Sequence, residues 1–471
     1  MAMTDTWVVP GAPLAQGRGW RVWYSRPGTD DFEPGKPTVF LRTTKQEIEC
    51  DCDLFDATRG VDRRMAVQTI RLKHPQPGAA YTVQVPERPA PFTWRSMPES
   101  CREGVSFLMS SCFWRNDDKE GHYGAGVADL TKKFSPAFQL LVGDQLYQDW
   151  PIRLAIGKDP YEIFGDRYIE YWSDDVYRQL LGCTPNFFAC DDHEFWNNYP
   201  EPQPQVFWTI GENRRARAQQ AARELLHRFQ HGANPGGRSY YSFAIGEVAF
   251  FVADPRSERT RFGADPHGFF SREQWMELVR WVSDLKGPGV LVLPQPLFQR
   301  AGGPTDYSLA NFAGDYSRLC GVFESALDGE TMDGRPHDIL ILTGDIHTGR
   351  HAVGTPKRPV SGDVHEFAAS PASLVGPFQP LQKASMAPGK LFPRGRASWS
   401  VWETSEAGSP TIDNNVAHIR ISTGLNARIR FELELWRVRP HDNRRYWQRA
   451  LRRPKPKGPL VRLFRKEIEL R

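Results

Sequence analysis

Hydrophobic and polar positions fall into two patterns along the chain. From about Val8 to Val85, short runs such as WRVWYS, TVFLRT and AYTVQV are separated by Gly and Pro clusters. This spacing predicts a small antiparallel β module, closed by the linker PERPAPF. Beyond the linker come VSFLMSSC, FQLLVGDQLY, NFFACDDHEF, EVAFFVADPR, GVLVLPQP and DILILTGDIH, short apolar runs interleaved with helical periodicity. Such alternation predicts buried strands in an α/β core. Two helices are specific: ARAQQAARELLHRFQ has one apolar face and no breaker, and REQWMELVRWVSDL follows Ser271 with Gln274 three residues on, the pattern of a capping box.

After Pro377 the chain becomes rich in Pro and Gly, then alternates again through HIRISTG and ARIRFELELW. No internal repeat is present. The expected organisation is an N-terminal β-rich module over residues 1–95, a large α/β unit over 96–435 and a basic C-terminal extension over 436–471.

Composition supports a packed core, because the 471 residues are 40% hydrophobic and include 15 Trp and 28 Phe. No stretch approaches the roughly 18 uninterrupted apolar residues of a membrane-spanning helix. The amino terminus MAMTDTWVVPGAPLAQ has no basic region followed by an apolar core, so a cytoplasmic location is expected. Seven cysteines, an odd number thinly spread, argue for reduced and mostly buried thiols, with Cys183 and Cys190 structural. The net charge of +4 hides an asymmetry, since residues 436–471 hold thirteen Lys or Arg against three acids.

The chemistry lies where apolar runs stop. Four of them end abruptly in metal-ligand types: Cys112, then Asp144, then Asp191, Asp192 and His193, then Asp345 and His347. Loops beyond the carboxyl ends of strands can aim such side chains at one point. Carboxylates directly after LLVG, FFAC and LILTG sit against a low-dielectric core, where an uncompensated charge costs several kcal/mol; cations remove that cost. Oxygen, imidazole and thiol donors together suit a mixed site, and the phenol of GDQLY favours a trivalent metal. Two adjacent cations would clamp a phosphate and make hydroxide available near neutral pH. In ADPRS, Asp254, Arg256 and Ser257 follow another strand; they read either as a turn cap or as an Arg placed for bidentate phosphate contact.

The blocks VSFLMSSC, GDQLY, ACDDHEFWNN, YSFAIGEVAFFVADPRS and LTGDIH resemble, in order, those of the PhoD-like alkaline phosphatases, metallophosphoesterases related to purple acid phosphatases, over about residues 100 to 370. The resemblance implies a four-layer α/β/β/α sandwich and a phosphomonoesterase or phosphodiesterase acting on a phosphate ester. It makes Asp144 the bridge between two metals and Tyr147 a terminal ligand on the first. It puts Asp192 on the second metal and makes His193 the partner of the leaving group, with Asp191 supporting them or binding metal itself. Asp345 falls to the second metal and His347 to the first, while Cys112 stands where most relatives outside this group carry Asp. Fe(III) with Ca(II) is the implied pair, with Zn(II) or Mn(II) as alternatives, and Asn197 or Asn198 as further oxygen ligands. Members of the group commonly carry a twin-arginine export signal, and this sequence shows none.

Bland readings stand beside these. His193 alone could be a satisfied core histidine, and His231 and His351 have no assignment. Trp114, Trp150, Trp172, Trp196 and Trp208 read as packing or pocket walls. The segment RRYWQRALRRPKPKGPLVRLFRK mixes aromatics with cations. It is either a solvated basic face or, in the alternative reading of the whole chain, the working part of a protein that binds nucleic acid or an anionic surface.

Overall fold

The computed structural model describes residues 5–11, 20–27, 35–59, 63–72, 75–88, 90–118, 121–150, 159–203, 206–264, 268–299, 301–303, 307–356, 359–373, 389–390, 402–406, 410–424, 428–438 and 460–471. The first seven strands form the amino-terminal module: β1 (Asp5–Pro10), β2 (Trp20–Pro27), β3 (Thr38–Leu41), β4 (Cys50–Arg59), β5 (Arg63–Leu72), β6 (Ala80–Gln84) and β7 (Phe92–Arg95). They pair antiparallel in two small sheets, ordered β1-β2-β5-β4 and β3-β6-β7. Val22, Tyr24 and Ile70 meet Val39, Tyr81 and Trp94 in a shared core between the sheets. The alternate residues of the larger sheet, Trp7, Trp23 and Val67, point the other way, into the core of the main body. Strand period decides this, since successive side chains take opposite faces.

The main body contains β8 (Val105–Ser110), α1 (His122–Phe134), β9 (Phe138–Val142), α2 (Pro160–Trp172), α3 (Asp175–Gly182), β10 (Asn186–Ala189) and α4 (Glu212–Phe229). It continues with β11 (Tyr241–Ile245), β12 (Val248–Val252), α5 (Arg272–Ser283), β13 (Gly289–Val292), α6 (Ala313–Asp328), β14 (Ile339–Thr343), β15 (Arg350–Pro356) and β16 (Val364–Ala368). The last strands are β17 (Gly389–Lys390), β18 (Trp402–Glu406), β19 (Asn415–Thr423), β20 (Ile429–Arg437) and β21 (Val461–Leu470). Two sheets result, one ordered β10-β9-β8-β19-β20-β21 and the other β11-β12-β13-β14-β16-β15-β18-β17. Parallel pairing joins β8, β9 and β10 in the first, and β12, β13, β14 and β16 in the second.

The run ILILT shows why the sheets stack. Leu340 and Leu342 of β14 enter a core that also holds Phe107, Met109, Leu140 and Val142 of the other sheet. Ile339 and Ile341 face Trp281 and Phe323 of α5 and α6. All four are fully buried, and each contributes about 1.5–3 kcal/mol of transfer free energy. On the far side, Leu108, Leu141 and Phe188 pack against α1 to α4. The result is the four-layer α/β/β/α sandwich expected from the sequence.

Trp23 joins module to body. Fully buried, its ring stacks on Phe229 of α4 at 4.9 Å and meets Trp172 of α2 at 6.3 Å. The chain's last described segment is also part of the fold. β21 pairs along the whole of β20, and its cations meet acids across the ladder: Arg462 with Glu434 at 2.9 Å and Arg465 with Glu432 at 3.3 Å. The most basic part of the carboxyl-terminal stretch, 439–459, lies outside the described residues. No helix among the described residues is long and apolar enough to cross a membrane.

One local expectation is corrected. Ser271 caps α5, its Oγ accepting from Gln274 N at 3.2 Å. The reciprocal half of a capping box is absent, because the Gln274 amide instead pairs with both backbone groups of Asp254, N–H to Oε1 at 2.8 Å and Nε2 to the carbonyl at 2.9 Å. That pair of hydrogen bonds, at a buried site, ties α5 to the strand end bearing Asp254.

Candidate metal centre

Every candidate ligand stands beyond the carboxyl end of a parallel strand. Cys112 follows β8, Asp144 follows β9, Asp191 to His193 follow β10, and Asp345 and His347 follow β14. The first three groups belong to one sheet and the last to the other, so the centre straddles the sandwich. Two glycines allow the approach. A Cβ on Gly143 would meet Asp191 Cβ at 2.6 Å, and one on Gly344 would meet Ser111 Oγ at 2.5 Å. The GD pairs of GDQLY and GDIH are therefore contact points between strand ends as well as turns.

The backbone is bent to aim these side chains. Cys112, Asp144, Asn198, Asp345 and His347 have φ between 47° and 60°, five of the seven non-glycine residues with positive φ among those described. Left-handed conformations at non-glycine residues concentrate where function requires a fixed geometry.

The side chains converge. One oxygen or nitrogen each of Asp144, Asp192 and His193 lie within 4.8 Å of one another, and so do oxygens of Asp144, Asp191 and Asp345. Cys112 Sγ is 3.5 Å from Asp144 Oδ2, and the Tyr147 hydroxyl is 3.4 Å from the same oxygen. The Tyr147 ring lies over His193 with centroids 4.0 Å apart. Asn198 reaches the cluster through its backbone, its N–H donating to Asp192 Oδ2, while its side-chain oxygen accepts from Tyr307 N at 2.8 Å. His347 is half-buried, within electrostatic reach of His193 and Asp192, its backbone N–H on Ser370 Oγ at 3.1 Å.

Arg256 sits differently from an open phosphate contact. Its guanidinium is fully buried, with Nε on Asp191 Oδ1, Nη1 on the Tyr199 carbonyl at 3.1 Å and Nη2 3.8 Å from Asp192 Oδ2. Asp254 closes the ADPRS turn, accepting from Arg256 N at 3.1 Å and Ser257 N at 2.8 Å. The turn-cap reading of that motif holds, and in this structure the Arg it delivers is engaged by Asp191, Tyr199 and Asp192 in place of the bidentate phosphate contact expected from the sequence.

Three supporting residues went unread in the sequence. Asp149 Oδ1 accepts from His193 Nδ1 at 2.8 Å, and its other oxygen accepts from Asn197 N at 3.0 Å. Glu194 accepts from the N–H groups of Asp144 at 3.0 Å, Gln145 at 2.6 Å and Asp191 at 3.0 Å, clamping two ligand-bearing loops together. Gln295 links Arg259 to Asp345, accepting from Nη2 at 2.5 Å and donating to Oδ2 at 3.3 Å. Glu194 lies inside the ACDDHEFWNN block and Asp149 two residues beyond GDQLY; the signal of each is a carboxylate close to a candidate ligand with no role of its own.

Without a counter-ion the cluster is electrostatically uncomfortable. Burial, then the neighbouring Asp192, Asp191 and Glu194, push Asp144 far above the usual carboxylate range, with His193 opposing. Burial with Asp144 and Asp345 pushes the Cys112 thiol up. His193 is held well above its ordinary value, because Asp149, Asp192 and Asp144 outweigh burial. Burial, helped by His193, takes His347 down to about 4, so it is neutral at pH 7 and able to act as a ligand. Asp191 Oδ2 is buried with no hydrogen-bond partner in the structure. Crowded carboxylates, a neutral imidazole and an orphaned lone pair fit a divalent or trivalent cation.

A cluster of this chemistry, at the carboxyl ends of strands in a four-layer α/β/β/α sandwich, suits a metal-dependent phosphoric ester hydrolase. Residues 107–277 match the model of the PhoD-like phosphatase family, and this segment is a PhoD-like phosphatase domain. The match spans Cys112 through Arg256 and stops before Asp345 and His347. Among solved structures, one of PhoD is similar over 92% of this chain and 87% of that one, with TM-score 0.64 and 13% identity, a likeness of fold. That of GAP50, the anchor in the inner membrane complex of Plasmodium, aligns over 71% of this chain and 85% of that one at 12% identity, with TM-score 0.36, too low to carry an argument. No curated protein matches the sequence.

Proposed function

We propose that the cluster holds two neighbouring cations and that the chain uses them to hydrolyse phosphoric monoesters or diesters. The observation that carries this is that Asp144 belongs to both close groups, with Asp192 and His193 in one and Asp191 and Asp345 in the other, as a carboxylate shared between cations would; the division of the remaining ligands between the two positions follows the family resemblance. Cys112, Tyr147 and His347 would complete one position. Asp192 and Asp345 would complete the other, with Asp191 held beside them by Arg256 and Asn198 supplying an amide oxygen. Bound there, the cations supply charge that offsets the phosphate and lower the pKa of a water from 15.7 toward about 7.

The chain's own groups account for the rest. Asp149 fixes the His193 ring through Nδ1, which leaves Nε2 to hold the proton that a departing alkoxide needs. Arg256 positions Asp191 and Asp192, and Arg259 positions Asp345 through Gln295. Residues 1–95 act as an accessory module and 96–435 as the catalytic unit, with 436–471 a basic extension whose β21 returns to complete the catalytic unit's sheet.

The phenol and thiol among the donors favour Fe(III) at one position, and the carboxylates with Asn198 suit Ca(II) at the other. Elemental analysis with a visible spectrum tests this: a charge-transfer band lost in Tyr147→Phe is expected, and colourless protein with zinc or manganese overturns the iron assignment. The hydrolase reading itself is tested by Asp144→Ala, which should lose metal and activity together. It fails if fully metallated wild-type chain cleaves neither aryl monoesters nor diesters at any pH.

A further inference from the structure

Seven large hydrophobic side chains are exposed among the described residues, and only Trp150 at 45% and Phe262 at 39% are aromatic. Both stand in loops of the metal centre, one from each sheet. Trp150 directly follows Asp149, the carboxylate that holds His193. Its ring centroid lies 6.5 Å from that of Trp114, two residues beyond Cys112 and nearly buried. Phe262 stacks on Tyr307 at 4.5 Å, and the Tyr307 N–H is bonded to Asn198.

A singly exposed apolar residue is ordinary. A half-exposed tryptophan packed against a second tryptophan, one residue beyond the carboxylate that orients His193, offers a stacking platform at the edge of a polar site. Its large π-face is exposed at little entropic cost, because a two-torsion side chain is already braced by its neighbour. Planar rings stack on such faces without regard to their hydrogen-bonding edges.

We propose that Trp150 takes the planar ring of the leaving group, so that preferred substrates are phosphate esters of ring-bearing alcohols such as nucleosides. This rests on the hydrolase reading and on His193 serving the leaving group. Because Asp149 and Trp150 are neighbours in the chain, the residue that fixes the proton donor and the one that fixes the departing ring belong to one loop. Specificity and leaving-group chemistry are thus set on the same side of the phosphorus.

The test compares adenosine 5′-monophosphate with ribose 5-phosphate, which share a primary alkoxide and differ by the base. Both kcat/KM and equilibrium binding by calorimetry are measured on the full, metal-supplemented chain. Expected is a preference for the nucleotide on the order of tenfold, falling toward unity in Trp150→Ala and recovered in Trp150→Phe. Hydrolysis of both substrates with a wild-type ratio near unity, or a ratio untouched by Trp150→Ala, overturns the ring subsite and leaves the hydrolase reading intact. Preferential nucleotide binding that Trp150→Ala abolishes, without turnover by the wild type, supports the subsite while the hydrolase reading fails. Absence of both preferential binding and turnover overturns both.

Discussion

His193 and Asp149 share a 2.8 Å hydrogen bond between Nδ1 and Oδ1, with the histidine side chain 15% and the aspartate 7% exposed. The pair crosses from the loop after β9 to the loop after β10, and it selects which ring nitrogen faces the cluster.

Replacing Asp149 by Asn removes the charge but keeps the size. Partners that orient a functional histidine are typically worth 10–100-fold, so kcat should fall by about that factor. Metal content should be retained. Metal analysis beside steady-state kinetics checks both, and unaltered kcat would remove Asp149 from the mechanism.

Glu194→Gln faces three backbone N–H groups with an amide that has one acceptor oxygen. At least one buried donor is then left unpaired, at a cost of about 1–3 kcal/mol. The loops bearing Asp144 and Asp191 should loosen, and metal affinity should drop along with the urea midpoint. A variant as stable and as tightly metallated as wild type would show that the clamp is dispensable.

Arg256→Ala strips the partner from a buried Asp191. Breaking a buried ion pair from one side costs about 3–5 kcal/mol. The expected signature is a large stability loss measured by chemical denaturation, at full metal loading. A loss confined to KM with stability unchanged would instead mark Arg256 as a direct phosphate contact.

Acid should weaken the fold through histidines outside the candidate ligand set. Burial, helped by His365 and Lys466, takes His351 down to about 3, and burial takes His231 down to about 4. Free histidine titrates near 6.5, so below that pH the unfolded chain binds protons that the folded chain refuses. Their contribution is complete above about 6.5 and is lost as pH falls toward 4, at about 1.4 kcal/mol per unit per group. Urea midpoints from pH 7 to 4.5 should fall, less steeply in His351→Gln. Parallel slopes would exclude His351.

What could be read from the sequence followed from how local each signal was. ILILT and FQLLV announce buried strands because every position is apolar, and the acids just beyond them announce a strand-end site. DDHE and GDIH are compact enough to be recognised whole. The helices α1 and α2 were not singled out, since their buried faces are built from Gly, Tyr and Trp rather than a leucine stripe. In the sequence β21 reads as part of a basic tail, because VRLFRKEIEL carries its charges on a strand whose full burial is confined to Ile468 and Leu470. Asp149 and Glu194 are illegible in the sequence for a different reason. They act on a ring nitrogen and on backbone amides supplied by other loops, and no spacing in the chain encodes those partners.

The seating of Trp23 bears on any attempt to dissect the chain. Its indole is a plug in a socket whose walls are Trp172 and Phe229. Cutting away the first ninety-odd residues, a natural choice for anyone wanting a minimal enzyme, would uncork that socket and leave greasy helix faces bare to water. The trimmed fragment should therefore clump on expression, even though every candidate ligand would still be present in it.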